Sequence, residues 1–427
     1  MPFAAGQTLP MPPPSPQATP ISLDQRIVFI DVLRGLALFG ILAANMRAFV
    51  APLDAYQNIG VLFPGRADLV AQAFIDTFFQ GKFISIFSFL FGMGFAMQMS
   101  RAEARGASFL RFYPRRLLAL ALFGVIHGIL IWAGDILLTY ALAGAILLLF
   151  RHRRQKILLY WAGSLLCAPI IVSAAMFVAY HTSLHRKWMD PKPPDLAKLH
   201  KIIDIYAHGP VSRIAVQNWT EWRDQLPFEL FAIYASALFL LGIWTWRAGI
   251  VQRLPEFTPV LRRVAAWCLP AGIAISLYVA LIRGLTPPTT VSVWAWFAAV
   301  LWLPGSHILA AGYMAGLALL FQQPRWRARL LPFAAVGRMA LTDYLMQSVL
   351  CTLLFDATVT GLYGRIGPAA ALIPTVILFV AQVAFSNWWL ARYRFGPMEY
   401  LWRILTYGKM PPLRKLDQEQ GLYYVGR

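Results

Sequence analysis

Two ionisable residues three positions apart, Asp31 and Arg34, lie inside an apolar run that also carries Asn45 and Arg47. At 100° per residue, Arg34 and Asn45 fall within about 20° of each other around a helix. One polar stripe therefore follows one helical face. Asp31 and Arg34 can pair along it, either neutralising each other near a membrane surface with Arg34 snorkelling or starting a polar path through lipid. A second constellation is His127 with Asp135. A neutral imidazole oriented by a carboxylate can take a proton from a hydroxyl or amine. Against that, Asp135 stands where the N-cap of the next helix belongs, and His127 can equally bond a neighbouring helix. A third is Gly337-Arg338-Met-Ala-Leu-Thr342-Asp343-Tyr344-Leu-Met-Gln347-Ser348. So many polar side chains at one end of an apolar run must be buried in protein or line a cavity. Arg338 there suits a phosphate, or an ion pair with Asp343 or with the Asp31 and Arg34 pair.

The elements that carry these residues are apolar runs. The chain has 427 residues, 59% of them apolar and 13% charged, with a formal net charge of +19. Soluble proteins carry about 25% charged residues, and runs of about twenty apolar residues cross a hydrocarbon core of roughly 30 Å. The expected fold class is therefore all-α, a polytopic membrane helix bundle. The runs fall near 28–50, 82–99, 116–133, 136–150, 157–180, 227–249, 263–283, 290–321, 333–356 and 367–390, about ten transmembrane helices. The eighth is long and holds Pro304 and Gly305, so a kink or a re-entrant start is open there. Placing both termini in the cytoplasm puts 25 basic residues on the inner side and 12 outside, the bias that orients membrane proteins. The basic excess is thus explained by lipid, and no nucleic-acid partner is expected.

The organisation expected is a disordered cytoplasmic tail over 1–25, five helices within 26–180, an extracytoplasmic loop over 181–226, five more helices within 227–390, and a cytoplasmic interfacial helix and tail over 391–427. Within the last, Pro397 to Gly408 has the Pro-start and Gly-stop of a short helix lying on the leaflet. The loop holds His181, His185, His200 and His208. His181 and His185 are spaced for one helical face, but no carboxylate or Cys completes a ligand set, so a solvated amphipathic loop and no metal are expected. Cys167, Cys268 and Cys351 lie within apolar runs and read as small hydrophobes. Ser85, Ser88 and Gly92 form a small-residue face suited to close helix packing.

These residues also carry a resemblance. The blocks Asp31-Val-Leu-Arg34-Gly35-Leu-Ala37 with Asn45, Gly81-Lys82-Phe83 through Gly92, Phe123-Gly124 and His127 with Gly134-Asp135-Ile136-Leu137 and Tyr140, the Gly337 to Tyr344 segment, and Arg394-Phe-Gly-Pro397 through Thr406-Tyr407-Gly408 resemble the YeiB-like family of bacterial inner-membrane proteins. The resemblance spans Arg26 to Arg414, with Asp343 where the family pattern leads one to expect Asn. The first block is also similar to the transmembrane acyltransferase superfamily, which moves acyl groups from cytoplasmic acyl-CoA to acceptors across the membrane. Its O-acetyltransferases place His ten residues after the Arg; Asn45 stands there instead.

The resemblance thus implies an integral-membrane acyltransferase of the bacterial inner membrane, with acyl-CoA as donor and a sugar, lipid or metabolite hydroxyl or amine as acceptor. The expected catalytic set is His127, Asp135 and Asn45; the expected donor-binding set is Arg34, Arg338, Asp31 and Asp343. A cavity between the first, second, third and ninth runs would hold them. The other reading is a transporter or exporter, because intramembrane Asp, Arg and His also build substrate and proton paths.

Overall fold

In the computed structural model the described residues are 27–56, 59–182, 193–225, 231–286 and 292–415. The expected terminal tail over 1–25 and His185 lie outside them. The helices are α1 Val28–Val50, α2 Arg66–Phe78, α3 Lys82–Ala104, α4 Phe109–Leu130, α5 Leu137–Leu147, α6 Gln155–His181, α7 Leu196–His208, α8 Val211–Gln225, α9 Phe231–Arg247, α10 Thr258–Leu285, α11 Val293–Phe321, α12 Pro324–Arg338, α13 Ala340–Phe355, α14 Pro368–Arg392 and α15 Pro397–Tyr407. The protein is a helical membrane bundle. Among the described residues six stretches are long and apolar enough to cross a bilayer: Val28–Val50, Arg66–Ala104, Gln155–Tyr180, Leu254–Leu285, Val293–Phe321 and Pro368–Arg392. The most apolar part of α6 has a mean hydropathy of 2.1 and yet is only 6% buried in the protein. Such a surface is stable against lipid and not against water.

Each expected run coincides with a helix, the ninth only in its second half. That run breaks at Met339, giving α12 and α13 in place of one element. The cause is a cap supplied by another helix: the Glu399 carboxylate of α15 accepts the backbone N–H groups of Leu341 (2.6 Å) and Thr342 (3.2 Å) and the Thr342 hydroxyl (2.6 Å). A new helix start needs partners for its first N–H groups, and an acidic group also suits the positive end of the helix dipole. The eighth run is a single helix, α11, that passes through Pro304 without interruption.

Close helix crossings place α1 and α3 at the centre. A Cβ on Gly35 would lie 2.0 Å from the Phe333 carbonyl oxygen, and one on Gly337 would lie 1.8 Å from the Asp31 carbonyl oxygen. The α1–α12 crossing is therefore a glycine-on-glycine contact. The same reciprocity joins α3 and α9, where Cβ atoms on Gly92 and Gly242 would lie 2.0 Å from the Phe239 oxygen and 2.1 Å from the Phe89 oxygen. Without a hydrophobic drive between helices in lipid, such close backbone packing holds a bundle together.

Within the expected solvated loop, α7 and α8 form a folded cap. In α7 the apolar positions Leu199, Ile202 and Tyr206 are buried, and in α8 Trp222 packs over Gly128 of α4. Tyr206 donates to Asn218 (2.7 Å), which donates to the Ile131 carbonyl (3.3 Å). Beneath the cap Glu221 faces a small cavity with Asp356 and Tyr363. Burial raises the Glu221 carboxyl to about 7, with Asp54 adding to the shift. A raised acid contributes stability that is present below its unfolded value and is lost as pH rises through the folded one. The cap should therefore loosen between about pH 5 and pH 8. Amide protection over 211–225, corrected for the intrinsic pH dependence of exchange, should fall across that range, and Glu221→Gln should remove the fall; the same loss of protection in the variant would contradict the assignment.

Candidate functional site

Two cavities meet inside the bundle. One, of about 260 Å³, is lined, among the described residues, by six arginines: Arg34, Arg101, Arg105, Arg116, Arg338 and Arg403. They come from α1, the end of α3, the turn after it, α4, the last residue of α12 and α15, so helix ends from across the chain deliver them to one place. All six are half-buried. Among the described residues the only acidic side chain in this wall is Glu399, already engaged in capping α13. Beyond the arginines the walls are apolar and aromatic, with Leu38, Phe87, Leu90 and Leu120. The expected interfacial helix α15 closes this cavity with Glu399, Trp402, Arg403 and Tyr407. Trp402 donates to the Arg116 carbonyl (2.9 Å), and the Arg116 guanidinium lies 3.5 Å over its ring.

The other cavity, of about 200 Å³, carries Asn45, Tyr56, Gln80, Ser85, Ser88, His307 and Tyr344 among apolar residues. No Asp, Glu, Lys or Arg lines it among the described residues. Its charge is neutralised behind the wall instead. Arg47, 2% exposed, pairs with Asp76 (2.9 Å) and donates to Gln80 (3.1 Å), to which Tyr56 also donates (2.6 Å). The Lys82 ammonium donates to the Asp76 carbonyl (2.6 Å). A buried pair with this many hydrogen bonds fixes geometry more than it adds stability, and here it fixes Gln80 and Tyr56. The two cavities share Ile41, Ile84, Ile136 and Tyr344.

The α1 stripe crosses both. Arg34, Leu38 and Ile41 face the arginine cavity, and Ile41, Ala44 and Asn45 face the neutral one. Arg34 donates to Asp31 (3.0 Å) and to the Gly337 carbonyl (3.2 Å), so it also ties α1 to α12. Asp31 is buried behind it and lines neither cavity.

His127 and Asp135 are joined at 2.9 Å, His Nδ1 to Asp Oδ1, and both side chains are fully buried. Asp135 also accepts the Leu138 N–H (3.0 Å), so the carboxylate caps α5 and holds the imidazole at once. The pair lines neither cavity. It sits one layer behind, with the His127 ring 5.2 Å from the Tyr344 ring and 6.2 Å from that of Trp132. Asp343 is likewise outside both cavities. It faces α14, where Ser386 donates to its carboxylate (2.8 Å) and Gln382 to its carbonyl (2.9 Å).

Sequence reasoning missed Asp76, the part Gln80 plays in holding Arg47 and Tyr56, and the place of His307 in the wall. The element α2 that carries Asp76 is short and only partly apolar; its amphipathic spacing was the available signal. Among the described residues no group of three His, Cys, Asp or Glu could hold a metal.

A family profile described as "Protein of unknown function (DUF418)" matches residues 245–409, a range that includes His307, Arg338 and α15. Two relatives extend the similarity over almost the whole chain. "Uncharacterized protein YxaH" of Bacillus subtilis (strain 168) is 35% identical over 93% of this chain and 98% of its own length. "Uncharacterized protein YeiB" of Escherichia coli (strain K12) is 32% identical over 90% of this chain and 96% of its own.

Proposed function

This chain belongs to the YeiB-like family of DUF418 membrane proteins, and from that premise we propose that it is an acyltransferase, taking an acyl group from acyl-CoA in the arginine cavity and passing it to an acceptor in the neutral one. The observation that carries the reading is the meeting of a six-arginine cavity with an uncharged polar cavity at Ile41, Ile84, Ile136 and Tyr344. Acyl-CoA is a polyanion on a slender, mostly apolar arm. Guanidinium groups present planar forks to phosphate oxygens, and the apolar depth beyond them suits the arm and excludes water from the thioester.

In this reading Arg34, Arg101, Arg338 and Arg403 bind phosphates, and the thioester reaches the shared wall, where Asn45 donates from its amide to the carbonyl oxygen as negative charge develops there. The His127–Asp135 pair backs Tyr344 and sets the position of that wall. Membership and basic-residue distribution support a bacterial inner-membrane location with both termini in the cytoplasm, so the arginine cavity opens inward and the acceptor cavity outward.

The test is acetyl transfer by purified protein in sealed vesicles with acetyl-CoA on the arginine-cavity side. Acetylated product on the opposite side is expected. Substrate accumulation driven by a pH gradient, with no covalent change, would establish the transporter reading in its place.

A further inference from the structure

The geometry points to His307 as the base of the neutral cavity and to an uncharged hydroxyl compound as the acceptor it deprotonates, an inference that rests on the acyltransferase reading. The local fold explains why His307 is there. Gly81, just before α3, has φ +81°, and a Cβ on it would lie 2.6 Å from the Ser306 hydroxyl. Only glycine lets α11 approach the start of α3 this closely. Ser306 bonds back to the Trp302 carbonyl (2.8 Å), and the next residue, His307, meets Ser85 on the first turn of α3 at 2.9 Å, Ser Oγ to His Nδ1.

That contact fixes the tautomer. Ser85 Oγ also lies 2.5 Å from the Gly81 carbonyl oxygen. A carbonyl can only accept, so the single hydroxyl proton is committed to Gly81. The Ser85 oxygen then has only lone pairs for His307, whose Nδ1 must carry the proton and donate. The lone pair of the neutral imidazole is therefore on Nε2, and His307 lines the cavity. A ring nitrogen held as an acceptor by a bond to its partner nitrogen is the arrangement a general base requires. Ser85 is a positioning residue.

The walls choose the acceptor. An amine is an ammonium at neutral pH, and a buried cation needs a carboxylate partner; a carboxylate or phosphate needs a cation. Neither lines this cavity among the described residues. Asn45, Tyr56, Gln80 and Ser88 instead offer the neutral donors and acceptors that hydroxyl compounds use.

The step balances without a co-reactant. The acceptor oxygen bonds to the thioester carbonyl carbon as its proton moves to His307 Nε2. The C–S bond then breaks, and Nε2 returns the proton to the departing sulfur. The products are an ester and free CoA thiol, with His307 neutral again.

Protein in phosphatidylcholine vesicles is given acetyl-CoA with either glycerol or ethanolamine, both small enough for the cavity, and acetyl-CoA binding is measured in parallel. Transfer to glycerol should exceed transfer to ethanolamine at least ~10-fold, and His307→Ala should lower kcat by about 10²- to 10⁴-fold without changing acetyl-CoA affinity. Added imidazole should restore part of the loss, and Ser85→Ala should lower kcat about tenfold with the donor KM unchanged. Equal or preferred transfer to ethanolamine, full turnover in His307→Ala, or donor binding with no transfer to either acceptor would overturn this inference alone. Absence of acetyl-CoA binding in the unaltered protein would overturn the acyltransferase reading as well.

Discussion

Arg338→Glu should weaken acetyl-CoA binding by at least about 100-fold. Arg338 is the last residue of α12 and is half-buried in the arginine cavity. A hydrogen bond to a charged group contributes roughly 1.5–3 kcal/mol, and a carboxylate in its place adds repulsion of the same phosphates. About 2.7 kcal/mol corresponds to a 100-fold loss. Arg338→Lys, which keeps the charge without the fork, should lose much less. Arg403→Glu on α15 is the independent check, since that side chain reaches the same cavity from another helix. Binding should weaken as salt rises in the unaltered protein and less steeply in either variant. Equal affinity in both charge-reversed proteins, measured by titration in detergent, would remove the phosphate assignment.

The second large effect is on assembly. Gly337→Ala should destabilise the bundle by about 3 kcal/mol or more, the upper part of the range for overpacked cores. The added methyl would sit 1.8 Å from the Asp31 carbonyl oxygen, 2.7 Å from its carbon and 2.9 Å from the Gly35 nitrogen. All three atoms belong to a helix backbone and cannot rotate away, so α1 and α12 must separate. That separation also breaks the bond from Arg34 to the Gly337 carbonyl, so loss of donor binding should accompany lower thermal stability. Gly94→Ala is the contrasting control, because nothing lies within 4 Å of a Cβ there. A Gly337→Ala protein as stable as the Gly94→Ala protein would show that the crossing is looser than described.

Periodicity revealed the α1 stripe because a helix face is a local property. Arg34 and Asn45 are separated by three turns and face the two cavities in turn, as an angle of about 20° requires. Local spacing does not reveal what covers a face. His127 lies on an apolar helix with a carboxylate nearby, a spacing that suits a base and a packed imidazole beside a helix cap equally; it lines neither cavity, and the ring 5.2 Å from it that does is Tyr344, more than two hundred positions later. His307 was the reverse case. Its partner Ser85 is 222 residues away, beyond the reach of any local spacing pattern. The break at Met339 depends on Glu399, and a cap contributed across 57 or 58 residues leaves no mark on the helix it starts. In the cap over the bundle, by contrast, Leu199, Ile202 and Tyr206 recur at helical spacing, a signal the sequence did contain.

The position of the donor decides between transfer and any other use of the two cavities. A structure determined with a non-cleavable thioether analogue of acetyl-CoA tests that most directly. The expected density places the phosphates among Arg34, Arg101, Arg338 and Arg403, with the thioether at the wall formed by Ile41, Ile84, Ile136 and Tyr344 and the neutral cavity still open to an acceptor. Analogue bound anywhere else, or an arginine cavity left empty at saturating analogue, would contradict it.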